Sequence, residues 1–178
     1  SKLNFKLTND QKKSLSDINK DLSSNSKMFR LLQGDVGSGK TIVALISALS
    51  VINSNFQVAL MAPTEILARQ HYNLAKKLFP ENLSIELLSS KSENIDKKRI
   101  INELKNNKIK MIFGTHAIFQ KKILFNKLGY IIIDEQHKFG VRQRKLLSDK
   151  GGDNCDVLLM SATPIPRTLT MSVYGDMD

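Results

Sequence analysis

The chain has 178 residues, 41% hydrophobic and 25% charged, which is enough for one domain with a substantial core. Its 27 Lys and Arg against 17 Asp and Glu give a formal charge of +10; that suits a polyanionic partner, although a Lys-rich solvated surface gives the same balance. An aromatic content of 6% without Trp argues against a base-stacking platform, so any nucleic-acid contact is expected mainly at the backbone.

No run of about 18 apolar residues occurs, and no membrane span is expected. The lone Cys155 cannot make an internal disulfide, which agrees with a reducing, cytoplasmic setting. The three histidines lie far apart and no Cys-x-x-Cys is present, so a structural zinc site is not expected. The opening Ser1-Lys2-Leu3-Asn4-Phe5-Lys6 has no apolar core to suggest a signal peptide, and the missing initiator Met suggests a processed or recombinant segment.

In chain order, Thr8-Asn9-Asp10-Gln11 reads as a helix start. Leu15, Ile18 and Leu22 follow at helical spacing until Ser23-Ser24-Asn25-Ser26. A strand over 28–33 runs into a Gly-rich turn, and a helix over 41–52 stops at Asn53-Ser54-Asn55. The alternation repeats with a strand at 57–62, a helix at 64–78 ahead of Pro80, and a strand at 84–88. Ser92 then reads as the cap of a charged helix reaching about Asn107. A strand at 110–113 ends in a turn at Gly114-Thr115. The stretches 130–133 and 156–160 are apolar enough for central parallel strands covered on both faces. This order predicts an α/β fold: a parallel sheet with helices on both faces and right-handed crossovers. No repeat or linker divides residues 1–178, and ligands are expected beyond the carboxyl ends of the strands.

Gly34-Asp35-Val36-Gly37-Ser38-Gly39-Lys40-Thr41 matches the phosphate-loop pattern and lies between a predicted strand and a predicted helix. Gly34, Gly37 and Gly39 let the backbone wrap phosphates, and the Ser38 region adds N–H donors at a helix N-terminus. Lys40 reaches the β and γ phosphates, and the Thr41 hydroxyl is a ligand for Mg²⁺. A Gly turn that merely ends in Lys-Thr is the plainer alternative. Downstream, Ile131-Ile132-Ile133-Asp134-Glu135 is an apolar strand tipped with two acids. Asp134 is placed to hold Mg²⁺ through water, and Glu135 to polarise the water that attacks the γ-phosphate.

Asp134-Glu135-Gln136-His137 resembles the Walker B box of superfamily 2 helicases. That resemblance implies a RecA-like P-loop NTPase fold, with Gln136 and His137 coupling the nucleotide to nucleic acid and a neighbouring domain. Ala62-Pro63-Thr64-Glu65 and Gly114-Thr115-His116-Ala117 resemble motifs Ia and Ib, which implies nucleic-acid backbone contacts at Pro63, Thr64, Gly114, Thr115 and His116. A threonine before a helix is also an ordinary N-cap. Ser161-Ala162-Thr163 resembles motif III, which implies that Ser161 and Thr163 link hydrolysis to nucleic-acid binding; their hydroxyls could meet Asp134 or His137. Phe5 and Gln11 resemble the Q motif, where a ring stacks on adenine and an amide reads its edge; Thr8 to Gln11 fits a capping box equally well, and the two roles could alternate.

Longer runs are similar to the RecG family within that superfamily: 30–41, 58–71, Asp134 to Val141 with Gln143-Arg144, Ser161 to Leu169, and Tyr174-Gly175-Asp176-Met177-Asp178. The transcription-repair coupling factors share most of these blocks but carry Glu at the position of Gln136. Lys138 departs from the usual Arg, keeping the charge and losing bidentate bonding. The resemblance implies an ATP- and Mg²⁺-dependent DNA helicase or translocase acting on branched DNA, monomeric, with this chain as its first RecA-like domain. A wedge domain and a second RecA-like domain bearing transition-state arginines are expected elsewhere, so the 178 residues alone should hydrolyse little ATP. A double-stranded DNA translocase of the coupling-factor type stays open, as does a phosphate-loop kinase or regulatory module.

Overall fold

Helix ends follow the local chemistry closely. Thr8 caps α1 (Asn9–Ser23), its hydroxyl accepting from Gln11 N while the Gln11 side chain accepts from Thr8 N. A Gly-rich loop separates β1 (Phe29–Gln33) from α2 (Lys40–Asn53). α2 stops in a Schellman turn, with Asn55 at φ 69 and Asn55 N and Phe56 N donating to the carbonyls of Ile52 and Val51. Then come β2 (Gln57–Met61), α3 (Glu65–Leu78) capped by Thr64, and β3 (Ile85–Leu87). α4 (Asn94–Lys105) ends as α2 does, with Asn107 at φ 60. β4 (Met111–Gly114) leads into a 3₁₀ turn (His116–Phe119), and β5 (Leu128–Asp134) and β6 (Asp156–Ser161) complete the sheet. The computed structural model describes residues 6–24, 26, 28–34, 39–134 and 155–161. Among these no helix is long and apolar enough to cross a membrane.

The strands lie in the order β1-β6-β5-β2-β4-β3, every pairing parallel. Alternate residues feed two cores. Val58, Leu60, Tyr130, Ile132, Leu158 and Met160 meet α1, α2 and α3 on one face. Ala59, Met61, Ile131, Ile133, Val157 and Leu159 meet α4 and the 3₁₀ turn on the other. The expected parallel sheet with helices on both faces is therefore present.

Two local expectations need correction. Ser92 does not cap α4: its N–H donates to Ser89 O, closing a turn, and Glu93 is the cap residue. Gly114 is not in a turn but is the last residue of β4, and a four-residue 3₁₀ turn opens after Thr115.

Two buried polar groups tie the layers. Gln57 donates from Nε2 to Leu104 O (2.9 Å) and Ile109 O (2.8 Å) and accepts at Oε1 from Lys127 N (2.9 Å), joining the end of α4 to the starts of β4 and β5. Ser47 Oγ donates to Ala44 O at 2.7 Å, so the Tyr130 hydroxyl, 2.9 Å away, is the donor to Ser47.

Candidate nucleotide site and neighbouring edge

All strands being parallel, their carboxyl ends share one edge, and the candidate residues sort along it. β1 leaves the sheet at Gly34, whose N–H still donates to Ser161 O (3.2 Å) on β6. The chain re-enters at Gly39, φ +79, a left-handed conformation that suits glycine. A Cβ there would stand 2.0 Å from Gln11 Nε2. Gly39 opens α2, whose first turn has no capping side chain and no acid, so the partial positive charge of the helix faces the loop. Lys40 Nζ donates to Gly34 O at 3.4 Å, reaching back across the loop. Thr41 follows in the same turn, half-buried. Gly37 and Ser38 lie outside the described residues, as do Phe5, Glu135, Gln136, His137 and Thr163.

Gln11 makes two contacts with its side-chain amide. Its Oε1 completes the capping box, while its Nε2 donates to Gly39 O at 3.4 Å. One amide thus caps α1 and rests against the end of the phosphate loop.

Asp134 closes β5 on the same edge. It pairs with Met160 of β6, which pairs with Leu32 of β1, so Asp134 lies level with the last residue but one of β1. Two strand spacings separate it from β1, about 10 Å. Strand alternation puts Asp134 on the face of Tyr130 and Ile132, the face that carries α2 and α3. Its carboxylate is buried, at 3% exposure. Oδ2 lies 2.5 Å from Nε2 of His71, itself buried on α3. Among the described residues the partner of this carboxylate is thus His71, whereas Ser161 reaches the loop through its backbone carbonyl.

The donor set suits Mg²⁺. That ion keeps several waters and takes one or two protein oxygens plus substrate phosphates, and a Thr hydroxyl with one carboxylate beside a phosphate loop supplies this. No group of three or more His, Cys, Asp or Glu able to hold a metal occurs among the described residues, and a phosphate-anchored Mg²⁺ needs none.

The other half of the edge carries the motif Ia and Ib residues. Pro63 and Thr64 are exposed, and Thr64 Oγ1 accepts from Leu67 N at 3.2 Å as an N-cap. Glu65 accepts from Ser90 N (2.6 Å) and from Ser89 Oγ (3.5 Å), and the Ser90 backbone bond foremost holds its carboxyl below the usual range. Gly114 is packed so closely that a Cβ would come 2.5 Å from Ile118 Cγ2 and 3.2 Å from Leu88 O. Thr115 is half-buried and His116 exposed. Between the two segments is a cavity of about 210 Å³, with Glu65, Ser90, Thr115, Lys97 and Lys122 in its wall. A larger cavity, about 470 Å³, lies at the opposite edge beside Asn19, Phe56, Gly129 and Asp156, remote from every motif.

Sequence reasoning passed over His71. Its signal was present: Ala68, His71, Ala75 and Leu78 form the buried stripe of α3, and a histidine on that stripe must find a polar partner. Gln57 opens the strand expected at 57–62, and its three partners come from distant segments.

A parallel sheet with a phosphate loop after β1 and a buried acid ending β5, with only β6 between the two strands, defines a RecA-like P-loop domain. The chain belongs to the DEAD/DEAH box helicase family, whose model matches residues 8–172. It is 52% identical over 179 aligned positions to the ATP-dependent DNA helicase RecG of Borreliella burgdorferi, covering 100% of this chain and 26% of that protein. It is 51% identical to RecG of Aquifex aeolicus, covering 99% of this chain and 23% of that protein. The chain therefore spans about a quarter of the length of these relatives. Among solved structures, RecG bound to a three-way DNA junction matches with a TM-score of 0.81 at 44% identity, over 97% of this chain and 23% of that one. The DEAD-box helicase Mss116 matches at 0.72 with 21% identity, over 93% and 37%, which speaks for the fold alone. The RecG resemblance seen in the motif runs holds across the whole chain.

Proposed function

We propose that this chain is the ATP-binding motor domain of an ATP-dependent DNA helicase or translocase acting on branched DNA, in the manner of the RecG proteins it resembles. The reading rests on one observation above the rest: β1, which leads into the phosphate loop, and β5, which ends at Asp134, finish at the same edge of the sheet with only β6 between them, and α2 lies on the face of Asp134. Gly34, Gly37, Ser38 and Gly39 cradle the triphosphate, Lys40 neutralises its β and γ phosphates, and Thr41 with Asp134 holds Mg²⁺, which supplies charge against the phosphates when bound. Glu135 orients the attacking water. Phe5 and Gln11 take the adenine, and Gln136, His137, Ser161 and Thr163 pass the nucleotide state onward.

Pro63, Thr64, Gly114, Thr115 and His116 take the DNA backbone. Exposed hydroxyls and N–H groups at helix starts bind phosphates without reading sequence. The net charge of +10 suits the same partner. A second RecA-like domain in the full-length protein would complete the site with arginines, an effect of about 10³ to 10⁵ in rate for arginine fingers. The 178 residues by themselves should bind nucleotide weakly and turn it over little. The test is ATP turnover by the full-length protein with and without a model replication fork. Fork-stimulated turnover is expected. Turnover indifferent to any DNA would overturn the reading in favour of a kinase or regulatory module.

A further inference from the structure

From the buried contact between α3 and β5, we infer that His71 is a positioning residue that fixes the Asp134 carboxylate for the metal. A carboxylate that is 3% exposed has lost most of its water, and a group so buried needs a donor within reach. The donor is His71 Nε2 at 2.5 Å, 63 residues away in sequence and itself 8% exposed. An ionised carboxylate only accepts, so the imidazole N–H is the donor. One oxygen of Asp134 is thereby committed, the side-chain torsion is set, and the remaining lone pairs are directed by a fixed ring.

The ring is itself held. His71 lies on the buried stripe of α3 between Ala68 and Ala75, both fully buried. α3 begins at Thr64 and Glu65, the latter pinned to Ser90. The helix that presents the motif Ia residues is therefore the one that orients the acid of the nucleotide site.

The inference rests on the proposed role of Asp134 at Mg²⁺, and its test separates the two. In the full-length protein, binding of a fluorescent ATP analogue is titrated with Mg²⁺ and also measured without metal, for wild type, H71L, H71Q and K40A. H71Q restores an N–H near the position of Nε2, whereas H71L removes it. The Mg²⁺ concentration for half-saturation is expected to rise about 10- to 100-fold in H71L and to return close to wild type in H71Q. Metal-free nucleotide binding, which depends on the phosphate loop, should stay within about twofold of wild type in both. H71N keeps an amide too short to reach Oδ2 and makes the same test if H71L does not fold. Wild-type Mg²⁺ dependence in H71L or H71N would overturn the inference, as would equal weakening with and without metal, the mark of a purely structural histidine. If wild type itself binds nucleotide without regard to Mg²⁺, or K40A binds as wild type does, the nucleotide-site reading falls and the inference with it.

Discussion

The two halves of the sheet's carboxyl edge are built on different principles. Over β1, β6 and β5 the chain relies on backbone geometry and buried charge: Gly39 in a left-handed turn, α2 opening without a cap, and Asp134 sealed against one imidazole. Over β2, β4 and β3 it relies on side-chain caps and exposed groups: Thr64 on α3, Glu65 on Ser90 N and the Ser89 hydroxyl, and open Pro63, Thr64 and His116. A site that grips a small, highly charged ligand gains from groups that cannot move. The proposed contacts to a DNA backbone would gain from shallow, accessible donors. α3 belongs to both halves, with Thr64 at its start and His71 two turns along.

The sharpest way to break this contrast is Lys40→Ala in the full-length protein. Removing one preorganised cation should cut steady-state ATP turnover by at least about 10²- to 10³-fold and abolish fork unwinding. Glu135→Gln should do the same while nucleotide binding persists. Wild-type unwinding by either would undo the assignment.

Below that lies the frame common to both halves. Gln57→Leu orphans two carbonyls and one N–H, and should lower the domain's stability by about 3 kcal/mol in denaturant unfolding. Tyr130→Phe should cost about 1 kcal/mol near neutral pH, because only the donation to Ser47 is lost. Its pH signature is more telling. Burial raises the phenol of Tyr130 well above its ordinary value near 10. Above pH 10 the unfolded chain releases this proton and the folded chain keeps it, so stability falls as pH rises, by up to about 1.4 kcal/mol per unit. That increment should be missing from Tyr130→Phe when alkaline unfolding curves are compared with wild type.

The smallest effect is expected in the open half. Thr64→Ala removes a cap and should cost about 1 kcal/mol of stability. DNA affinity should weaken similarly for all sequences, measured by salt-dependent binding to a fork, with ATP turnover on saturating DNA little changed.

How far each half could be read in advance follows from the same contrast. The phosphate loop and the acid-tipped β5 are written locally, because glycines, Lys-Thr and an apolar run are what those backbones require. The start of α4 is not written locally, because Ser92 looks like a cap in isolation. Glu65, more than twenty residues upstream, holds Ser89 and Ser90, and the turn closed by Ser92 N onto Ser89 O moves the helix start to Asn94. His71 and Gln57 escaped notice for a related reason: each finds its partners only when distant strands and helices pack. The capping role of Gln11 was legible locally, whereas the contact of its nitrogen with Gly39 O, 28 residues away, was not.

The most direct measurement is a crystal structure of the full-length protein with Mg²⁺ and a non-hydrolysable ATP analogue. The phosphates should lie in the 34–41 loop, with the metal held between Thr41 and Asp134, and Asp134 still bonded to His71. Phosphates bound at another edge of the sheet, or a metal with no path to Asp134, would contradict the account.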